Sequence, residues 1–283
     1  MRNRSEGWKH GKLSGHANEA HVARLLVEDR GLAREVFLAR FGDEHSTQLE
    51  VTAVEDIGKL TVPTVLGDLR YPKPDTLIEF EGGKRLALSI KKSESGQVWL
   101  VTLDRFVKIV EFYTHAPVPP IALEALHLFI GGARNIKTVA SLYEQAIEST
   151  PETLVSIRKQ ERHQKRLTST TLKAVYPQRW QALIDFLVEN IELLTLLMFS
   201  RGATASKDYW ADTVLYYLEN GGTAAFDIQR IAAAAQQARD EIAYGVLRGG
   251  TTIQLPTGFL QMHKGQVQFH HQLHKLSELA AAL

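Results

Sequence analysis

Cysteine is absent from the 283 residues, which excludes disulfides, thiolate metal sites and a cysteine nucleophile, and suits a reducing cytoplasm. An excess of charge of one sign is lacking too. The 33 Lys and Arg stand against 32 Asp and Glu, a formal net charge of +1, so any field attractive to nucleic acid has to come from local clustering. Residues 1–10 have no apolar signal-peptide core, and the most apolar helical stretch, Ile191–Phe199, is interrupted by Glu192 and Thr195, so neither secretion nor a membrane span is expected. No repeat or low-complexity tract occurs. With 44% hydrophobic and 23% charged residues, the composition is that of a globular protein able to bury a large core. The expectation is one domain over 1–283, located in the cytoplasm.

What is present is a hairpin with chemistry at its base. Thr76-Leu77-Ile78-Glu79-Phe80 and Arg85-Leu86-Ala87-Leu88-Ser89-Ile90 flank Glu81-Gly82-Gly83-Lys84. Gly-Gly suits a two-residue turn with positive φ at both positions, and Leu86, Leu88 and Ile90 alternate with Arg85, Ala87, Ser89 and Lys91 as a strand requires. Folding about that turn is expected to bring Asp75 opposite residue 90 and to put Ser89 and Lys91 on one face, within reach of Asp75. A carboxylate and an ammonium placed so suit phosphodiester hydrolysis. Asp75 would hold a divalent cation, and Lys91 would orient or deprotonate the attacking water and offset charge on the phosphorane. Magnesium is the natural ion, because it needs only one or two carboxylates beside water and phosphate oxygens.

Taken singly, these residues have plainer roles. Pro74-Asp75 is a common turn former, Lys91-Lys92 an ordinary edge-strand charge pair, and Glu79 with Arg85 a cross-turn salt bridge. Gln97 serves equally well beside a catalytic lysine or as a helix cap. His270 and His274 are spaced i, i+4 as zinc ligands on a helix would be; with no Cys or acid nearby, surface or DNA-contacting histidines are expected instead.

Pro74-Asp75, a hairpin and a strand ending in x-Ile-Lys resembles the PD-(D/E)xK nuclease superfamily, and within it the type II restriction endonucleases. Gly15-His16-Ala17-Asn18-Glu19 is similar to the G-x-x-x-E start of the N-terminal helix that supplies a further acid in many members. Gly96-Gln97, ahead of an expected amphipathic helix, is similar to the Gln after the catalytic lysine in some branches. The resemblance covers residues 11–115 and departs at Ser89, where an Asp or Glu is usual; Glu19 and Glu94 are the candidate replacements. It implies an α/β (α+β) fold with a small mixed central sheet flanked by helices, a catalytic core over about 11–135, and a helix-rich recognition and dimerisation part over about 136–283. It implies a Mg2+-dependent endonuclease acting on double-stranded DNA as a homodimer. Catalysis would fall to Asp75, Lys91, Glu19, Ser89 and Gln97, with metal held by Asp75, Glu19 and the Ile90 carbonyl. A junction-resolving or repair nuclease, or a DNA-binding protein that has lost its chemistry at Ser89, are the alternatives.

The DNA-contacting residues are sought where basic residues cluster. Arg158, Lys159, Arg162, Lys165, Arg166, Lys173 and Arg179 are accompanied by one acid, Glu161, and by the hydroxyls of Thr168–Thr171, a composition suited to phosphate contacts and to Arg reading guanine. Arg162, Lys165, Arg166, Lys173 and Arg179 are the candidates, with Arg201 and Lys207 beyond them; a solvated helix face is the plainer reading.

Along the rest of the chain, periodicity predicts helices over 18–40 (one, or two parted at Gly31), 99–110, 137–147, 151–165, 178–200, 206–219 and 224–244. Strands are predicted over 50–60, 125–130, 251–255, 258–263 and 266–270.

Overall fold

The computed structural model describes residues 18–42, 49–131, 136–149, 166–242, 250–263 and 265–283. The helix predicted over 151–165, the Gly15 start of the G-x-x-x-E motif, and Arg158, Lys159, Arg162 and Lys165 fall outside them. Two compact units form, each from two stretches of chain, one comprising 1–94 with 199–231 and the other 95–198 with 232–283.

The first unit opens with helices at 18–28 (α1) and Arg30–Phe41 (α2). The break falls at Asp29, not Gly31, because the Asp29 carboxylate caps α2 by accepting from the Gly31 and Leu32 amides at 2.8 and 3.2 Å. Strands β1 (Val51–Asp56), β2 (Val62–Pro63), β3 (Leu69–Arg70), β4 (Thr76–Phe80) and β5 (Arg85–Lys91) follow. The second unit begins with β6 (Ser95–Thr102), and the chain later returns to the first for β7 (Thr213–Tyr217) and β8 (Thr223–Asp227). The first unit's sheet runs β1-β4-β5-β7-β8. Only β5 and β7 are parallel, so the sheet is mixed.

On one face of this sheet Ile78, Phe80, Leu86, Leu88, Ile90 and Leu215 pack under Val22, Leu26, Leu32, Ala33, Val36 and Phe37 of the two helices. The Phe37 and Phe80 rings meet edge to face at 5.1 Å. Ala87 and Ser89 are buried as well, so β5 is enclosed on both faces, the usual state of a central strand with a parallel neighbour.

The hairpin register differs from expectation by one residue. Phe80 donates to Lys84 and accepts from Gly83, so the loop is Glu81-Gly82-Gly83, three residues instead of two. Thr76 therefore pairs with Leu88, and Asp75 stands opposite Ser89, not residue 90. Gly82 and Gly83 both take positive φ, 83° and 79°, as a Gly-Gly pair allows.

Residues 206–219 and 224–244 were predicted helical. They form instead a 3-10 turn at Lys207–Tyr209, β7 and β8, and only then a helix at Ile228–Gln237. Thr213-Val-Leu-Tyr-Tyr217 is made of good strand formers, and an adjoining sheet edge overrides the weak helical period.

In the second unit β6 pairs with β11 (Gln266–Gln272), followed by β10 (Gly258–His263) and β9 (Thr252–Leu255), all antiparallel. The helix predicted from Trp99 starts only at Leu103; Trp99 stacks on Phe269 at 5.6 Å as a strand residue. Ala125–Ile130, predicted as a strand, completes the helix Pro120–Ile130, with all six residues buried. A short apolar run enclosed on all sides has no period to tell helix from strand, and Pro120 at its first turn favours the helix. His270 lies on β11, stacked on Phe259 at 4.5 Å, and His274 on the next helix, so the pair is not an i, i+4 helical pair.

Candidate active site

The hairpin base is held in place by backbone. The Asp75 amide donates to Leu88 at 2.7 Å, and the Asp75 carbonyl accepts from Ile57 and Gly58 at 3.2 and 3.0 Å. A Cβ on residue 58 would meet Asp75 Cα at 3.2 Å, so glycine permits this approach. The Asp75 carboxylate then accepts the Ile90 amide through Oδ2 at 2.6 Å. That bond orients the carboxylate and leaves Oδ1 for another partner.

On the same face, Lys91 Nζ donates to Ser89 Oγ at 2.7 Å and to the Ile90 carbonyl at 3.1 Å. Ser89, where the resemblance has an acid, is 2% exposed and acts as the acceptor that fixes the lysine. Burial holds the Asp75 carboxyl above its ordinary range; the Lys91 ammonium opposes this and the Glu19 carboxylate adds to it. The charge of Glu19, on α1, is thus felt at Asp75. Glu94 is exposed in the turn after β5 and is not among the charges that act on Asp75.

Sequence reasoning missed Lys73. Burial and the neighbouring Lys91 lower its pKa to about 7, with Asp75 opposing. Pro72 and Pro74 restrict the backbone on both sides of it, and its stem lies over Gly202, where a Cβ would come within 3.2 Å. The prolines were the legible signal. Contact with a residue 129 positions away was not.

Other expected residues have surroundings of their own. Gln97 belongs to the second unit, on β6, where its side-chain oxygen accepts from Gln268 at 2.7 Å. Arg166 is 8% exposed, too buried for the surface phosphate contact expected of it. Arg179 pairs with Glu124 at 2.9 Å and lies over the Tyr176 ring, so its charge is already answered. Thr168 caps the helix Ser169–Val175, and Thr168, Ser169 and Thr171 are buried; these three hydroxyls start a helix and do not line a surface, and Thr170 alone of the four is exposed. Lys173 is exposed on that helix. In the first unit, Arg201 stacks over Trp210 at 4.4 Å, and Lys207 is exposed.

A magnesium ion fits the donors present. Asp75 Oδ1, the Glu19 carboxylate and the Ile90 carbonyl are oxygen ligands of the kind it takes, and the Lys91 ammonium against the Ile90 carbonyl is itself a cation at that carbonyl. No group of three or more His, Cys, Asp or Glu able to hold a metal occurs among the described residues, so water and phosphate would complete the shell. No helix among them is long and apolar enough to cross a membrane.

No family profile matches the chain, and no curated protein does. Among solved structures, the chain is similar to the restriction endonuclease MspI in complex with its cognate DNA, with 13% identity and a TM-score of 0.49 over 95% of this chain and 93% of that one.

Proposed function

We propose that the protein is a Mg2+-dependent, sequence-specific endonuclease of double-stranded DNA, of type II restriction type, acting as a homodimer. The observation that carries this reading is the joint placement of Asp75, Ser89 and Lys91 across one hairpin, with the carboxylate oriented by the Ile90 amide and the ammonium by Ser89. Asp75, Glu19 and the Ile90 carbonyl would hold magnesium, which would supply Lewis acidity at the scissile phosphate. Lys91 spends two donors on Ser89 and Ile90 and keeps its third for the attacking water or a phosphate oxygen, where its charge offsets that of the phosphorane. Water adds to phosphorus as the bond to the leaving oxygen breaks. A twofold dimer would present two such sites to the two strands of a palindromic duplex.

Supercoiled plasmid incubated with Mg2+ tests this. Nicked and then linear DNA is expected from the wild type and from neither Asp75→Asn nor Lys91→Ala; undiminished cleavage by either variant would contradict the assignment. A DNA-binding protein without chemistry is the second reading, favoured by Ser89 at the acid's position. Salt-sensitive retention without cleavage would support it.

A further inference from the structure

Rows of side chains run across the first unit's sheet. Asp75 and Ser89 form one. The next row on the same face, two residues toward the hairpin turn, is Glu55 opposite Leu77, Leu77 opposite Ala87, and Ala87 beside Asp212. Strand geometry separates the two rows by about 7 Å. This second row floors a cavity of about 420 Å³ walled by Lys207–Trp210 and Leu60, within the range of about 300–1,000 Å³ typical of small-molecule sites. The floor is apolar at its centre, where Ala87 keeps it low, and acidic at both ends.

Asp212 is anchored rigidly. Its amide donates to the Ala87 carbonyl at 2.8 Å and its Oδ2 accepts the Ala87 amide at 2.9 Å. Among the described residues no hydrogen-bond donor reaches its Oδ1. The wall is fixed as well: the Trp210 indole donates to the Thr204 carbonyl at 3.1 Å, and Arg201 covers one ring face. Arg85 is held by Glu79 at 3.2 Å.

The charges select the occupant. Glu55, Asp208 and Asp212 outnumber the two cations of the lining, Lys207 and Arg85, of which Arg85 is held by Glu79, so the cavity is net acidic and disfavours a phosphate; Glu55 and Asp212 lie three strand spacings apart, about 14 Å, too far to share a cation. An uncharged flat ring with a hydrogen-bond donor suits apolar floor, aromatic wall and free carboxylate oxygen together. Resting on the nuclease reading above, we propose that the slot takes an unstacked nucleobase adjoining the scissile phosphate, an adenine or cytosine whose exocyclic amino group donates to Asp212.

Short labelled homopolymers of deoxycytidine and deoxyuridine, which at ring positions three and four present an acceptor and an amino donor against an N–H donor and a carbonyl, test the amino group's role by anisotropy without divalent metal. The wild type should bind deoxycytidine about fivefold more tightly, the weight of one net hydrogen bond. Asp212→Asn can keep its bond to the Ala87 amide while presenting NH2 to the slot, so the preference should vanish or reverse. Leu77→Phe, a strand-compatible filling of the floor, should abolish it even if the Asn variant folds poorly. Equal affinity in the wild type, absence of binding to both polymers, or a preference unchanged in both variants would overturn the proposal. Asp75→Asn, which the nuclease reading renders inactive, should keep the preference. Preference without wild-type plasmid cleavage would defeat the nuclease reading; cleavage without preference would defeat the slot alone.

Discussion

At the scale of single residues, the site depends on a few hydrogen bonds that set which charges meet. Glu19 is the carboxylate whose field reaches Asp75, whereas Glu94 sits exposed in a turn. Glu19→Gln is therefore expected to depress cleavage about as strongly as Asp75→Asn, and Glu94→Gln to have little effect; single-turnover rates at saturating Mg2+ check the ranking. Lys73 makes a separate prediction about stability. Its pKa is about 7 in the folded protein against 10.5 ordinarily. Between those values the unfolded chain binds more protons, so stability rises with pH; below about 7 the cost of the buried ammonium is fully present. Lys73→Met should accordingly raise the Tm of the metal-free protein at about pH 6 and raise it by only a small fraction of that at about pH 10, where most of the cost has gone. Calorimetry at both pH values checks this, and an equal shift at both would assign the effect to packing.

At the scale of elements, the hairpin was legible because two independent local signals agreed, a Gly-Gly pair and strict alternation into Lys91. Its register was off by one, since nothing in Glu81-Gly82-Gly83 distinguishes a two-residue from a three-residue loop. The face survived that error. The expected offset concerned which residue stands opposite Asp75, while the period of two along β5 still put Ser89 and Lys91 together. β7 was illegible, because its neighbour β5 lies more than a hundred residues earlier and its own residues carry an ambiguous period. With it went Asp212, whose bonds to Ala87 span 125 positions. Two members of the basic cluster were illegible for a related reason: charge counted along the chain cannot show that Glu124, 55 positions upstream, answers Arg179, or that Arg166 is buried. The α2 cap offers a direct test. Asp29 closes two amides at the helix start, so Asp29→Ala should cost about 1 kcal/mol in urea unfolding, and an unchanged midpoint would show the cap idle. Phe37→Ala, which empties the seam between α2 and the sheet, should cost about 3–5 kcal/mol.

At the scale of the whole molecule, a net charge of +1 offers no general attraction for DNA, so on the proposed reading the attractive field is local. Affinity for duplex DNA should then fall with salt in proportion to the few phosphates contacted, with a change of about one in slope for each cation removed. Hydrolysis of DNA at defined sequences by the Asp75–Lys91 pair is put to the test by sequencing fragment ends after incubation of unmethylated genomic DNA with the protein and Mg2+. Discrete fragments sharing one terminal sequence are expected from the wild type, and none from Lys91→Ala. Intact DNA from the wild type, or the same termini from the variant, would contradict it.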